Sequence, residues 1–143
     1  MTARMREEML AKTRVLIVDD HCTIRRGLTD LLDQQPDLSV CGAVSSAEQA
    51  LHFMLDQHVD LAIVDISLGQ MDGLQLTRQL SRDYPGLRIL VLSMQDPASY
   101  AERALDAGAC GFVAKAQAVE TLLTGIRQVL NGGTYVSPSP GAA

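Results

Sequence analysis

Residues 15–21 read VLIVDDH, an aliphatic run that stops abruptly at two adjacent carboxylates. The same pattern returns twice: Leu61–Val64 is followed by Asp65, and Ile89–Leu92 by Ser93. Short runs of Val, Ile, Leu and Ala without polar alternation suit strands buried on both faces of a parallel sheet. Gly111–Ala114 is a weaker candidate of the same kind. Leu38–Val44, interrupted by Ser39 and Gly42, reads as an edge strand.

Between these runs the apolar spacing becomes helical. Ile24, Leu28, Leu31 and Leu32 form one stripe, which Pro36 ends. Ala47, Ala50, Leu51, Met54 and Leu55 form a second, behind Ser45 and Glu48 placed as a capping box. A third helix is expected to open near Asp72, to carry Leu76 and Leu80, and to stop before Pro85. Asp96–Pro97 reads as the N-cap and first position of a fourth, which carries Ala101, Ala104 and Leu105 and closes at Gly108. Val119, Leu122, Leu123, Ile126 and Leu130 stripe a fifth, ended by Asn131, Gly132 and Gly133.

Strand and helix thus alternate, which predicts a single α/β domain. The expected architecture is a flavodoxin-like (βα)5 doubly wound parallel sheet with right-handed crossovers and strand order 2-1-3-4-5. The domain is expected over residues 13–133, after an N-terminal extension (1–12). Residues 134–143 (TYVSPSPGAA) lose periodicity and read as the start of a linker.

Composition narrows the function classes. The chain has 143 residues, 47% hydrophobic and 20% charged, enough to bury a core without disulfides or a structural metal. Its net charge is −5, and Arg25–Arg26 is the sole basic pair, so no positive stripe for duplex binding is present. Cys22, Cys41 and Cys110 lack zinc-ligand or disulfide spacing. The opening MTARMREEMLAKT has no apolar signal region, and no run approaches the roughly 18 apolar residues a membrane span needs. A soluble cytoplasmic protein without membrane contact is expected.

In open α/β sheets, ligands bind beyond the carboxyl ends of the strands. Asp19 and Asp20 follow the first strand, Asp65 the third, Ser93 the fourth and Lys115 the fifth. Carboxylates crowded on one rim repel and need a cation, and all-oxygen ligation with room for water favours Mg²⁺. A carboxylate can attack phosphorus to form an acyl phosphate. Mg²⁺ and a lysine ammonium would neutralise the oxygens where transition-state charge lies. The Ser93 hydroxyl could donate to the product phosphate.

VLIVDDH, DISLGQMDG, LSMQD and GACGFVAKA resemble the successive motifs of a two-component response regulator receiver domain, over roughly residues 13–133. DDH, LSM and NGGTYVSP resemble the NarL/LuxR-type subfamily in particular. The resemblance implies that Asp65 is the phosphoacceptor, Asp20 a direct Mg²⁺ ligand, Asp19 a water-mediated one, and the Ser67 backbone carbonyl a further ligand. It implies that Lys115 pairs with the phosphate and that Ser93 and Phe112 are the conformational switch. The donor would be a sensor histidine kinase, and phosphorylation would favour a homodimer. DNA would be met only through a helix-turn-helix output domain beyond the linker. A stand-alone receiver that docks to partner proteins is the alternative. The domain would catalyse its own phosphorylation and dephosphorylation, without being a multiple-turnover enzyme.

Two positions depart from the family pattern: Gly69 stands where Pro is common, and Phe112 where Tyr is frequent. Ser67 and Gln95 flank the site and are expected to tune the lifetime of the phosphoryl group. Other residues keep plain readings. His21 reads as a loop residue, Cys22 as packing, the methionines as core filler, and His52 and His58 as solvated positions on a helix. Rival functions fit less well. A flavin carrier needs a Ser/Thr/Gly-rich phosphate loop after the first strand, and a phosphatase with an Asp nucleophile needs a D-x-D arrangement there. This chain has DDH.

Overall fold

The computed structural model of the chain describes residues 12–67, 72–94 and 97–138. Gly69, Gln95 and the Asp96 cap lie outside the described residues, as do residues 1–11 of the extension and 139–143 of the tail. The elements are β1 (Thr13–Val18), α1 (Cys22–Asp33), β2 (Leu38–Val44), α2 (Ala47–Met54), β3 (Leu61–Asp65), α3 (Gly73–Asp83), β4 (Arg88–Ser93), α4 (Pro97–Asp106), β5 (Gly111–Ala114), α5 (Ala118–Leu130) and β6 (Tyr135–Val136). They form one parallel sheet in the order β2-β1-β3-β4-β5-β6. The expected 2-1-3-4-5 order is therefore present, with one further strand at its edge.

The period-2 alternation of strands divides the core in two. Leu16, Val18, Ala62, Val64, Ile89, Val91 and Phe112 face Ala47, Ala50 and Met54 of α2, Leu76 and Leu80 of α3, and Ala101 and Ala104 of α4. Val15, Ile17, Leu61, Ile63, Leu90, Leu92 and Val113 face Leu28 and Leu32 of α1 and Leu122, Ile126 and Val129 of α5. Every residue of β3 is buried, as the unbroken aliphatic run requires. In β2 the register slips opposite Val15 and Leu16, which pair with Val40 and Gly42. Gly42 leaves room for the Phe53 ring, whose Cε2 would stand 2.6 Å from an added Cβ.

Several helix details differ from the sequence reading. The cap of α2 is Ser46, whose hydroxyl accepts the Gln49 N–H at 3.1 Å; Ser45 instead bonds the Gln49 side chain. The expected Ser45–Glu48 box is therefore absent: Ser46 is the cap, and the Gln49 side chain reaches back to the Ser45 N–H. Leu55 lies beyond α2 and is 75% exposed, and His58 lies in the following loop, bonded to Asp60 at 2.7 Å. On α5, Val119 is 81% exposed while Val129 is buried, so the apolar stripe runs Leu122, Ile126, Val129. Cys22 is exposed, not packed, and Met94 is exposed as well. The Asp72 expectation holds: Asp72 and Gln75 make a reciprocal capping box at the start of α3.

The tail differs most. Tyr135 and Val136 pair in parallel with Gly111 and Phe112, so the ordered fold continues past Gly133 and the expected linker begins as a strand. Among the described residues no helix is long and apolar enough to cross a membrane.

Ser46→Ala is expected to lower stability by about 1 kcal/mol, the usual cost of a lost N-cap. Ser45→Ala should cost clearly less. Urea denaturation midpoints of the two variants check this, and equal losses would return the cap to Ser45.

Candidate functional site

The parallel register places the strand ends together. Val18 pairs with Val64, Asp65 with Leu92, and Ser93 with Ala114. Asp19, Asp65, Ser93 and Lys115 therefore emerge on one rim.

Asp19 and Asp65 are each buried, with side chains 1% exposed. Asp19 is held by its own backbone, which donates to the Val44 carbonyl at 3.0 Å and accepts from the Arg25 guanidinium at 2.7 Å. Its Oδ1 accepts the His21 N–H at 2.8 Å. Asp65 Oδ1 accepts the Ser67 N–H at 3.0 Å. Lys115 reaches in from the end of β5, and its side chain is 4% exposed. Its Nζ stands 3.0 Å from both Asp19 Oδ2 and Asp65 Oδ2. Burial alone would push the Lys115 ammonium down, but the two carboxylates outweigh it and hold its pKa above the ordinary lysine value.

Asp20 is more open, with its side chain 42% exposed. The sequence reading kept His21 as a loop residue, and the structure turns its ring into the site. Its Nδ1 lies 3.0 Å from Asp19 Oδ1, 3.0 Å from Asp20 Oδ1 and 3.4 Å from Lys115 Nζ. Its adjacency to the acidic pair was the only signal, and a lone histidine gives no direction to its ring. Ser93 is buried at the end of β4, and Phe112 is fully buried on the α4 side of the sheet. Ser67 is exposed beside Asp65.

Ligand atoms of Asp19, Asp20, His21 and Asp65 all lie within 4.8 Å of one another, and this group could hold a metal ion. Asp19 Oδ2 and Asp65 Oδ2 are buried, and each meets the Lys115 ammonium at 3.0 Å. A carboxylate oxygen has more lone pairs than one ammonium fills, so these buried oxygens fit a hard cation as well. Three carboxylates against one ammonium also leave the cluster with excess negative charge.

Gly73, the first residue of α3, packs against the backbone of Asp65. An added Cβ there would overlap the Asp65 carbonyl and stand 2.5 Å from Ile66 Cα. The Gly73 N–H donates to the Ile66 carbonyl at 3.0 Å, which pins α3 to the strand end that carries Asp65.

The sequence and the fold are similar to those of known proteins. The family model for the response regulator receiver domain matches residues 15–127, and the chain belongs to that family. It is 31% identical over 127 residues to the transcriptional regulatory protein DegU of Brevibacillus brevis, covering 89% of this chain and 54% of that protein. It is 36% identical over 124 residues to the transcriptional regulatory protein UhpA of Salmonella typhimurium, covering 87% of this chain and 62% of that one. The chain therefore spans less than two thirds of either relative. A LuxR-family two-component response regulator from Aurantimonas superposes with a TM-score of 0.84 at 28% identity, covering 89% of this chain and 91% of that one.

Gly73→Ala is expected to cost about 1–3 kcal/mol, the range for overpacking, and to move the amide resonances of Asp65, Ile66 and Ser67. Wild-type stability with unmoved resonances would show that α3 does not brace the strand end.

Proposed function

We propose that this chain accepts a phosphoryl group on Asp65 from the phosphohistidine of a sensor histidine kinase, and that the modified domain is a signal. The observation that carries the reading is the buried Asp65 carboxylate, one oxygen fixed by the Ser67 N–H and the other beside Lys115. Family membership supports the same reaction class.

The carboxylate of Asp65 attacks phosphorus and forms a P–O bond as the P–N bond of the donor breaks, and the imidazole leaves with the electron pair. Lys115, already protonated and fixed between two carboxylates, turns its charge to the incoming phosphoryl oxygens. Ser93 donates its hydroxyl proton to one of those oxygens. Asp19, Asp20, Asp65 and the Ser67 carbonyl would hold Mg²⁺, which supplies charge neutralisation when bound. Hydrolysis reverses the modification: water attacks phosphorus, the carboxylate leaves, and inorganic phosphate is released. Ser67 and Gln95 set how fast that water arrives.

Ser93 and Phe112 lie on neighbouring strands, with Phe112 opposite Val91 and Ser93 opposite Ala114. Their joint movement toward the phosphoryl group shifts the population of the α4–β5–α5 surface. An apolar groove beside the site would suit a docking surface of the kinase. A cavity of about 420 Å³, lined by Ile24, Leu28, Leu31, Leu92, Lys115 and Val119, lies between α1 and α5. In the whole protein this receiver, expected over residues 13–133 and extended by β6, governs an output domain that binds DNA as a dimer, through a linker after Ser137. Relatives that are transcriptional regulatory proteins of greater length support that role. Its place is the cytoplasm, where kinase and DNA are both met.

Incubation with acetyl phosphate and Mg²⁺ should add one phosphoryl group to the wild type. Asp65→Asn or EDTA should reduce labelling at least about tenfold. Mass spectrometry checks both, and efficient labelling of Asp65→Asn at another residue would overturn the assignment.

A further inference from the structure

The short strand β6 extends the sheet beside β5, the strand that carries Phe112 and ends one residue before Lys115. The Tyr135 N–H donates to the Cys110 carbonyl at 3.0 Å, and the Ser137 N–H to the Phe112 carbonyl at 2.9 Å. The next donor on that edge is the Ala114 N–H, and there the bonding changes. It is taken by the hydroxyl oxygen of Ser137 at 2.9 Å, not by a backbone carbonyl.

Ser137 is 2% exposed, whereas Val136 and Pro138 on either side are exposed. The hydroxyl thus closes the edge at the residue before Lys115, on a donor that would otherwise be buried without a partner. Because β6 runs parallel to β5, it delivers Ser137 to the same rim as Asp65 and Ser93. Ala114 is held from the opposite side by its pairing with Ser93.

We propose that Ser137 is a positioning residue, whose hydroxyl fixes the end of β5 between Phe112 and Lys115. Through this edge the state of Asp65 reaches the chain that follows Ser137. The inference rests on the phosphoacceptor reading of Asp65 and adds a backbone route, separate from the helical surface over which Phe112 acts. One residue grips both the Phe112 carbonyl and the Ala114 amide, so displacement of either group is felt at Ser137.

Amide spectra of the 143-residue chain, with and without beryllofluoride and Mg²⁺, test it. Ser93 and Lys115 report loading of the site; Tyr135 and Ser137 report the edge. In the wild type all of these resonances should shift. In Ser137→Ala the Ser93 and Lys115 shifts should persist, the Ala114 amide should exchange about tenfold faster, and the Tyr135 shift should vanish. Ser137→Thr, which keeps the hydroxyl, should restore it. A silent edge in a wild type whose Ser93 and Lys115 respond overturns the inference and leaves the phosphoacceptor reading standing. A normal Tyr135 response in Ser137→Ala overturns it equally. Absence of any shift at Ser93 and Lys115 in the wild type overturns the phosphoacceptor reading and the coupling with it. Should Ser137→Ala fail to fold, the wild-type comparison decides alone.

Discussion

The ammonium of Lys115 lies 3.0 Å from Asp19 on β1's extension and 3.0 Å from Asp65 on β3, and much of the molecule is arranged around that contact. Gathering carboxylates in a buried place is costly unless each is paired or bonded. The fold meets this cost by anchoring each group separately. Arg25 and Val44 fix the Asp19 backbone, Ser67 fixes one Asp65 oxygen, and Gly73 lets α3 close on the strand end. Three carboxylates nonetheless share a single ammonium. That residual frustration is what makes the rim a place for chemistry, and not merely a stable corner.

The sheet supplies the rigidity that this contact needs. Both faces of β1, β3 and β4 are covered, so the strand ends cannot drift apart without exposing core residues on two sides at once. β5 is buried along its length as well, between β4 and the two-residue β6, with Phe112 within it and Lys115 just past its end. Motion is cheapest at a sheet's edge, here the short β6; Phe112 lies on the strand beside it and Ser93 one strand further in.

Much of this was legible in the sequence, for physical reasons. Unbroken aliphatic runs mark strands buried on both faces, and the polar residue after each run marks the rim, so Asp19, Asp20, Asp65, Ser93 and Lys115 could be brought together on paper. What escaped depends on short-range geometry or on neighbours distant in sequence. Ser45 and Ser46 offer alternative caps one residue apart, and only the backbone of the turn selects Ser46. On α5 the stripe is anchored by Leu122 and Ile126, whose spacing admits either Val119 or Val129; packing takes Val129. A two-residue strand such as Tyr135–Val136 has no periodicity to detect, and the burial of Ser137 follows from the free edge of β5. His21 joins the acidic cluster because the turn after β1 aims its ring back at Asp19, which adjacency alone does not specify.

The central claim is that the carboxylates of Asp19, Asp20 and Asp65 form a divalent-cation site completed on one side by Lys115. Thermal unfolding of the wild type over a range of Mg²⁺ concentrations tests it most directly. Binding to the folded state alone should raise the melting temperature steadily, with about 2.7 kcal/mol gained at a hundredfold excess over Kd. EDTA should reverse the rise, and Asp20→Ala should blunt it. A melting temperature indifferent to Mg²⁺, or one that rises equally in Asp20→Ala, would contradict the account.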